Sequence, residues 1–176
     1  MGMIHLVLGG ARSGKSRFAL QAAEMLALQQ QLDCTFVATA TALDDEMAAR
    51  IQRHQQERSQ YWQLAEVPLA LEDYFVKAEG AGVVLVDCLT MWLNNQLYHY
   101  PDQDFAVLFR RLIAAMQNSR RQIVLVANEV GLGVIPMGEI TRRFVDQAGW
   151  LNQAVAAAAD RVTLITAGLP LTLKGG

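Results

Sequence analysis

The chain has 176 residues, a length that suits one domain with a full hydrophobic core. Hydrophobic residues make up 52 % of it, and the formal net charge of -2 gives no general attraction to nucleic acid or to an anionic membrane. Cys34 and Cys88 lack CxxC spacing, which argues against a zinc site or a disulfide framework and favours a reducing compartment. No apolar run approaches membrane-spanning length, and the amino terminus leads into a strand rather than a signal peptide, so we expect a cytoplasmic protein.

Short apolar runs alternate with helical segments along the chain, without an internal repeat or a linker. We predict strands at 4–9, 34–39, 61–66, 82–88, 122–129 and 161–166. We predict helices at about 15–30, 44–58 and 69–78, two more on either side of a turn at 100–102, and a last one at about 139–159. The first helix is expected to present Phe18, Ala22, Met25 and Leu26 on one face. Strands that are apolar throughout and alternate with helices indicate a parallel sheet covered on both faces.

A phosphate-binding motif lies between the first strand and the first helix. The segment "GGARSGKS" matches G-x-x-x-x-G-K-[ST] and comprises Gly9, Gly10, Ala11, Arg12, Ser13, Gly14, Lys15 and Ser16. Glycines let the backbone amides wrap around phosphate oxygens, Lys15 reaches the β- and γ-phosphates, and the Ser16 hydroxyl can ligate Mg²⁺. The alternative is an ordinary strand-to-helix turn. We therefore predict an α/β, single-domain P-loop (RecA-like) fold over residues 1–176, with a mostly parallel central sheet and helices on both faces.

Polar residues end two later strands. Asp87 closes the apolar run "VVLVD" and can hold Mg²⁺ directly or through water, and the alternative is that it caps the following helix. Asn128 and Glu129 end the next predicted strand. The carboxyl ends of parallel strands meet at one edge of the sheet, where ligands bind. The N-K-x-D guanine signature is absent, so a preference for GTP would need another way of recognising the base.

The predicted helix over 44–58 contains the segment "RIQRHQQER". Arg50, His54 and Arg58 are spaced by four residues and share a helix face. One interpretation is a solvated basic face with an incidental histidine. The other is a nucleophile or acid–base group beside cations that bind a polyphosphate, since neutral imidazole is a good nucleophile near pH 7. His5 is expected in the core or at its edge, and His99 in solvent.

Several separated segments together resemble one enzyme family. They are "GGARSGKS", "ATATALDDEMAARIQRH", "YWQLAE", "VVLVDCLTMWLNN", "NEVGLGVIP" and "RRFVDQAGWLNQAVAAAADRVTLITAGLPLTLK". In this order and spacing they resemble the bifunctional adenosylcobinamide kinase / adenosylcobinamide-phosphate guanylyltransferase of cobalamin biosynthesis. The phosphate loop alone is generic, whereas R-I-x-x-H, W-x-x-x-E and N-E-V-G-x-G in combination are far more specific.

The resemblance implies two reactions and a set of residues. A γ-phosphate passes from GTP or ATP to adenosylcobinamide, and GMP then passes from GTP to adenosylcobinamide phosphate through a histidine–GMP intermediate. It implies His54 as the guanylylated residue, with Lys15 also catalytic, Mg²⁺ at Ser16 and Asp87, and a homotrimer. The implied nucleotide contacts are Gly9 to Ser16, Ala38, Thr39, Ala40, Gln55, Gln56, Glu57, Arg58, Glu66 and Asp87.

The chain departs from the family pattern at two positions, and two other functions remain open. Ser59 stands where the family commonly has proline, and Val145 where it has arginine, which bears on turn rigidity and substrate binding. The "GLGVIP" loop is the expected cobinamide pocket. The alternatives are a P-loop kinase of another small alcohol or nucleotide, with His54 inert, and a RecA-like regulatory ATPase.

Overall fold

The computed structural model describes residues 2–40 and 62–176. The predicted histidine helix over 44–58 lies outside these residues. The described strands are β1 (Ile4–Gly9), β2 (Cys34–Ala38), β3 (Trp62–Glu66), β4 (Val83–Asp87), β5 (Gln122–Asn128), β6 (Arg161–Thr166) and β7 (Leu169–Lys174). The described helices are α1 (Lys15–Gln30), α2 (Leu71–Lys77), α3 (Leu89–His99), α4 (Phe105–Asn118) and α5 (Glu139–Ala158).

The described strands form one sheet in the order β3-β2-β4-β5-β1-β6-β7. Neighbouring strands run parallel throughout, except for the antiparallel pair β6–β7. The mostly parallel sheet predicted from the alternation of strands and helices is therefore confirmed. This order brings the carboxyl ends of β1, β5 and β4 side by side.

Helices cover both faces of the sheet, as predicted. On one face α1 packs through Ala19 and Ala23 against a core that includes Val7 and Val126. On the other face α2, α3, α4 and α5 bury a larger core. Side chains of each strand alternate between these two cores, which explains why the central strands are apolar at almost every position.

The predicted face of α1 is wrong in part. Met25 is 59 % exposed, whereas Ala19 and Ala23 are fully buried. Because α1 carries alanine and leucine in several directions, apolar spacing alone does not select the inner face. The small alanine side chains allow the helix to approach the sheet closely.

Strand β7 is an element that the sequence analysis did not predict. Ala167 and Gly168 have φ values of 51° and 76°, which makes a two-residue hairpin turn of the kind that matches sheet twist. Alanine seldom adopts positive φ, so the turn lacks the usual Asn-Gly signal. Pro170 is tolerated in β7 because this strand lies at the edge of the sheet.

Buried polar side chains of α3 fasten the segment that follows β3. Trp92 Nε1 and Gln96 Nε2 donate to the Leu69 carbonyl at 2.8 and 2.7 Å. Asn95 Nδ2 donates to the carbonyls of Thr39 and Pro68 at 2.8 and 3.0 Å. The ends of β2 and β3 are thus tied to one helix. No described helix combines the length and the apolar character needed to cross a lipid bilayer.

His5 lies near the start of β1, inside the sheet, and not at the edge where the carboxyl ends of the strands meet. It is 3 % exposed, and its Nε2 lies 2.9 Å from the Thr163 hydroxyl oxygen. Burial, with a smaller effect from the positive charge of Arg161, lowers the pKa of His5 to about 4. The imidazole is therefore neutral in the folded protein at neutral pH.

We predict that protonation of His5 contributes to acid destabilisation. The pKa of His5 is about 4 in the folded protein and 6.5 for an unperturbed histidine, so the unfolded chain binds the proton more readily. The free energy of unfolding contains the full contribution of the neutral His5 ring above pH 6.5. This contribution decreases by up to about 3 kcal/mol as the pH falls towards 4. Urea unfolding of wild type and His5→Gln between pH 7 and 4 measures this, with His99→Gln as the exposed control. An identical decline in wild type and His5→Gln would contradict the prediction.

Candidate active site

The phosphate loop connects the end of β1 to the start of α1. Arg12 and Gly14 have φ values of 54° and 91°, so the loop turns through left-handed conformations before α1 begins at Lys15. The Lys15 ammonium donates to the Gly10 carbonyl at 3.0 Å. Backbone amides curved in this way at a helix amino terminus form an anion-binding cradle.

The loop is fixed by hydrogen bonds from two other parts of the sheet. The Glu129 amide, directly after β5, donates to the Gly9 carbonyl at 3.0 Å. The Gly168 amide, in the β6–β7 turn, donates to the Ser13 carbonyl at 2.8 Å. The β6–β7 hairpin, which the sequence analysis did not predict, thus stabilises the phosphate loop through this hydrogen bond.

Gly9 is the most crowded of the loop glycines. A Cβ atom at Gly9 would overlap the Ser13 hydroxyl and come within 2.9 Å of the Ile165 carbonyl oxygen. The Ser13 hydroxyl is buried and, among the described residues, has no hydrogen-bond partner. Only glycine therefore allows the strand end and the loop to pack this closely.

A cleft of about 370 Å³ opens in front of the loop. Its lining combines the cations of Arg12, Lys15 and Arg17 with the carboxylate of Asp87, so it carries an excess of positive charge suited to phosphate groups. The complete lining is Ala11, Arg12, Ser13, Gly14, Lys15, Ser16, Arg17, Phe36, Ala38, Ala40, Asp87, Cys88, Met91 and Asn128.

The junction of β4 and α3 forms the floor of the cleft. The Thr39 hydroxyl donates to the Cys88 carbonyl at 2.6 Å and accepts from the Cys88 amide at 2.8 Å. Burial, reinforced by the negative charge of Asp87, raises the pKa of the Cys88 thiol to about 11. Cys88 therefore stays protonated at neutral pH and supplies no thiolate nucleophile.

Ser16 and Asp87 face the same cleft and offer the oxygen donors that Mg²⁺ prefers. Among the described residues, no group of three or more His, Cys, Asp or Glu side chains could bind a metal ion by themselves. The donor set therefore fits a Mg²⁺ ion that is shared with phosphate oxygens rather than one that is held by a complete protein cage.

The structure brings together most of the described residues that the sequence pointed to. Ala11 to Ser16, Ala38, Ala40 and Asp87 line the cleft, and Gly9 and Gly10 shape the loop behind it. Thr39 is fully buried, and its side chain joins β2 to the β4–α3 junction instead of lining the cleft. His54, Gln55, Gln56, Glu57 and Arg58 lie outside the described residues.

Glu66 stands apart from the phosphate loop. It is exposed at the carboxyl end of the edge strand β3, and β2, β4 and β5 separate it from β1. At about 4.8 Å per strand, this places β3 roughly 19 Å from β1. A contact between Glu66 and a nucleotide would therefore involve a part of the ligand far from the phosphates held by the loop.

Arg17, Phe36, Cys88 and Met91 line the cleft but were not proposed as site residues. Phe36 precedes Ala38 by two positions, so the alternation of side chains along a strand could have indicated it. Met91 lies one helical turn after Asp87 and Cys88. A larger cleft of about 820 Å³ lies between α2 and α4 and shares no residue with the phosphate loop.

Comparison with known proteins identifies the family. The model of the CobU family, described as "Cobinamide kinase / cobinamide phosphate guanyltransferase", matches residues 5–173. The chain belongs to this family. It is 47 % identical over 174 residues to the bifunctional adenosylcobalamin biosynthesis protein CobP of Pseudomonas aeruginosa, covering 98 % of each chain. It is 41 % identical to CobU of Salmonella typhimurium and 39 % identical to CobU of Escherichia coli, covering 98 % of this chain and all of each relative.

A solved structure of a distant protein shares the fold. The flagellar accessory protein FlaH from Methanocaldococcus jannaschii matches with a TM-score of 0.56 at 14 % identity, covering 98 % of this chain and 78 % of FlaH. At this identity the likeness shows the fold alone. It agrees with the predicted single-domain P-loop fold of RecA-like type.

We predict that Gly9→Ala destabilises the nucleotide-free protein, because the added methyl group overlaps Ser13 and approaches Ile165. Overpacking of this kind costs about 1–3 kcal/mol. Gly10→Ala is the matched control, since nothing lies within 4 Å of a Cβ atom there. Thermal unfolding should show a lower Tm for Gly9→Ala than for Gly10→Ala, and equal Tm values would contradict the crowded geometry.

Proposed function

We propose that this protein phosphorylates adenosylcobinamide and then transfers GMP from GTP to adenosylcobinamide phosphate, releasing pyrophosphate. The observation that carries this proposal is the cleft lined by Lys15, Ser16 and Asp87 in a chain of the cobinamide kinase / guanyltransferase family. GTP or ATP serves as donor in the first step, and GTP in the second.

In the kinase step, the loop and Lys15 act on the terminal phosphates. The loop amides and the amino terminus of α1 bind phosphate oxygens, and Lys15 balances charge on the β- and γ-phosphates. The substrate hydroxyl oxygen attacks the γ-phosphorus and loses its proton to solvent, the bond from this phosphorus to the β–γ bridging oxygen breaks, and the nucleoside diphosphate leaves. When bound at Ser16 and Asp87, Mg²⁺ supplies positive charge for the β- and γ-phosphate oxygens.

The guanylyl step needs a nucleophile at the α-phosphorus, and the described cleft offers none. The Cys88 thiol is held protonated, and the His5 ring is buried against Thr163. This supports His54, which stands between Arg50 and Arg58 on the predicted helix, as the group that attacks. A ring nitrogen forms a bond to the α-phosphorus, and the bond to the pyrophosphate oxygen breaks. The phosphate oxygen of adenosylcobinamide phosphate then displaces the imidazole.

We further propose a cytoplasmic homotrimer, as the family resemblance implies. Large apolar side chains after β5 support an assembly, because Leu132, Val134, Ile135 and Met137 are between 76 and 96 % exposed. Exposed apolar side chains grouped in this way indicate contacts with a partner or a substrate. The same segment contains the expected cobinamide pocket.

We predict that Lys15→Ala lowers phosphorylation of adenosylcobinamide by at least about a hundredfold, because charge on the β- and γ-phosphates loses its compensation. Transfer of label from γ-labelled GTP to adenosylcobinamide measures this step. Lys77→Ala, at an exposed position in the last turn of α2, is the control. Phosphorylation at the wild-type rate in Lys15→Ala would rule out this role for the loop.

We predict that His54→Ala prevents covalent guanylylation. Wild type incubated with GTP and Mg²⁺ should gain the mass of one GMP group in an acid-labile, base-stable linkage that maps to the peptide containing His54. His99→Ala is the matched control. If His54→Ala still carries the label, another nucleophile operates. If wild type phosphorylates adenosylcobinamide but never carries GMP, the protein is a kinase alone.

A further inference from the structure

Asn128 is the last residue of β5 and lies beside the first residue of the phosphate loop. In the sheet register Asn128 pairs with Gly9 of β1, whereas Asp87 of β4 pairs with Val126. β5 therefore extends beyond the end of β4, and Asn128 stands between the phosphate loop and the start of α3. Asn128 lines the same cleft as Lys15, Ser16 and Asp87.

The backbone of Asn128 is held by side chains of two helices. Since β4 has already ended, the Thr90 hydroxyl from the first turn of α3 accepts from the Asn128 amide at 2.7 Å. Asn152 of α5 donates through Nδ2 to the Asn128 carbonyl at 3.3 Å. Thr90 and Asn152 are each only 9 % exposed. Polar side chains are rarely buried without hydrogen bonds, and these two form theirs to the backbone of one residue.

The next residue, Glu129, adds a third restraint through its backbone, and its side chain does not enter the cleft. The Glu129 amide donates to the Gly9 carbonyl at 3.0 Å. The Glu129 carboxylate turns to its own loop, where it accepts from the Gly131 amide at 2.9 Å. The strand-end acid noted in the sequence therefore serves the loop after β5, and Asn128 faces the phosphate site.

The direction of the Asn128 side chain follows from strand alternation. Val124 and Val126 belong to the core under α1, so Asn128 faces the same side of the sheet. α1 begins there, at Lys15, with its positive dipole end towards the cleft. Within residues 2–40 and 62–176, the Asn128 carboxamide makes no hydrogen bond. The Asn128 carboxamide is thus a hydrogen-bond donor on a restrained backbone, directed into a cleft whose charge suits phosphate.

We propose that the Asn128 carboxamide donates a hydrogen bond to the γ-phosphate of the bound nucleotide, and that Thr90 and Asn152 are positioning residues for it. The inference rests on the proposed kinase step in the same cleft. Lysine attracts phosphate as a point charge that does not fix its direction, whereas a side-chain amide on a restrained strand end orients one oxygen. Asn128 would thereby distinguish a nucleoside triphosphate from a diphosphate.

The test measures this distinction directly. Isothermal titration with Mg²⁺ compares the affinity for GDP with that for a GTP analogue carrying a β–γ imido bridge, in wild type, Asn128→Ala and Asn128→Asp. We expect Asn128→Ala to lose about tenfold in triphosphate affinity and to keep GDP affinity within about twofold. Asn128→Asp has nearly the same shape but adds a negative charge, so its triphosphate affinity should fall further. Asn118→Ala, at the exposed end of α4, is the control.

Thr90 gives a second, independent test. Thr90→Val keeps the side-chain shape but removes the acceptor for the Asn128 amide, whereas Thr90→Ser retains it. The ratio of triphosphate to diphosphate affinity should fall several-fold in Thr90→Val and return in Thr90→Ser. A purely structural role would lower the Tm of Thr90→Val without changing this ratio.

The outcomes separate this inference from the proposed function. If wild type phosphorylates adenosylcobinamide while Asn128→Ala keeps the wild-type affinity ratio, the γ-phosphate contact is wrong and the kinase stands. If the ratio falls in Asn128→Ala but wild type transfers no phosphate to adenosylcobinamide, the contact stands and the proposed function fails. An equal loss of GDP and triphosphate affinity in Asn128→Ala would also overturn the inference.

Discussion

Two carbonyl groups of the phosphate loop, those of Gly9 and Ser13, connect it to the rest of the molecule. A loop that turns its amides inward to bind an anion must turn carbonyls outward, and these need donors elsewhere. The donors here are the amides of Glu129 and Gly168, which follow β5 and β6. The positions of Lys15 and Ser16 depend on these bonds, since both residues begin the helix that leaves the loop. The sheet therefore determines the position of the loop amides and of Lys15, the groups suited to binding phosphate.

In the proposed function, one edge of the sheet serves two reactions at different phosphorus atoms. The loop and the ends of β4 and β5 line one cleft, and we propose that their cations, oxygen donors and the Asn128 carboxamide act on the terminal phosphates. Attack at the α-phosphorus requires a group that comes from outside these strands, and the proposed group is His54. Orientation of the terminal phosphates and nucleophilic attack at the α-phosphorus can then use the same binding cleft, with one nucleotide consumed in each step, without competition between the two sets of residues.

The parts of the fold that depend on local pattern were predictable, and those that depend on pairing between distant segments were not. Buried strands and the phosphate loop have strong local signals, so β1, β4, β5 and the loop were found at nearly their observed bounds. β7 was missed because its turn uses Ala167 at a positive φ. In the site, the restraint on Asn128 comes from Thr90 and Asn152, which lie far from it in sequence and meet it only through the sheet register. No spacing rule connects such residues.

The bond between Gly168 and Ser13 joins a late part of the chain to an early one. During synthesis on the ribosome, β1 and the loop emerge first, but the turn at Ala167 and Gly168 emerges long afterwards. A nascent chain that stops before this turn leaves the Ser13 carbonyl without its donor and leaves β6 without β7 on its outer side. Nucleotide can therefore stabilise a chain that includes this turn more than one that stops before it, because a ligand favours the folded form only where its site is complete.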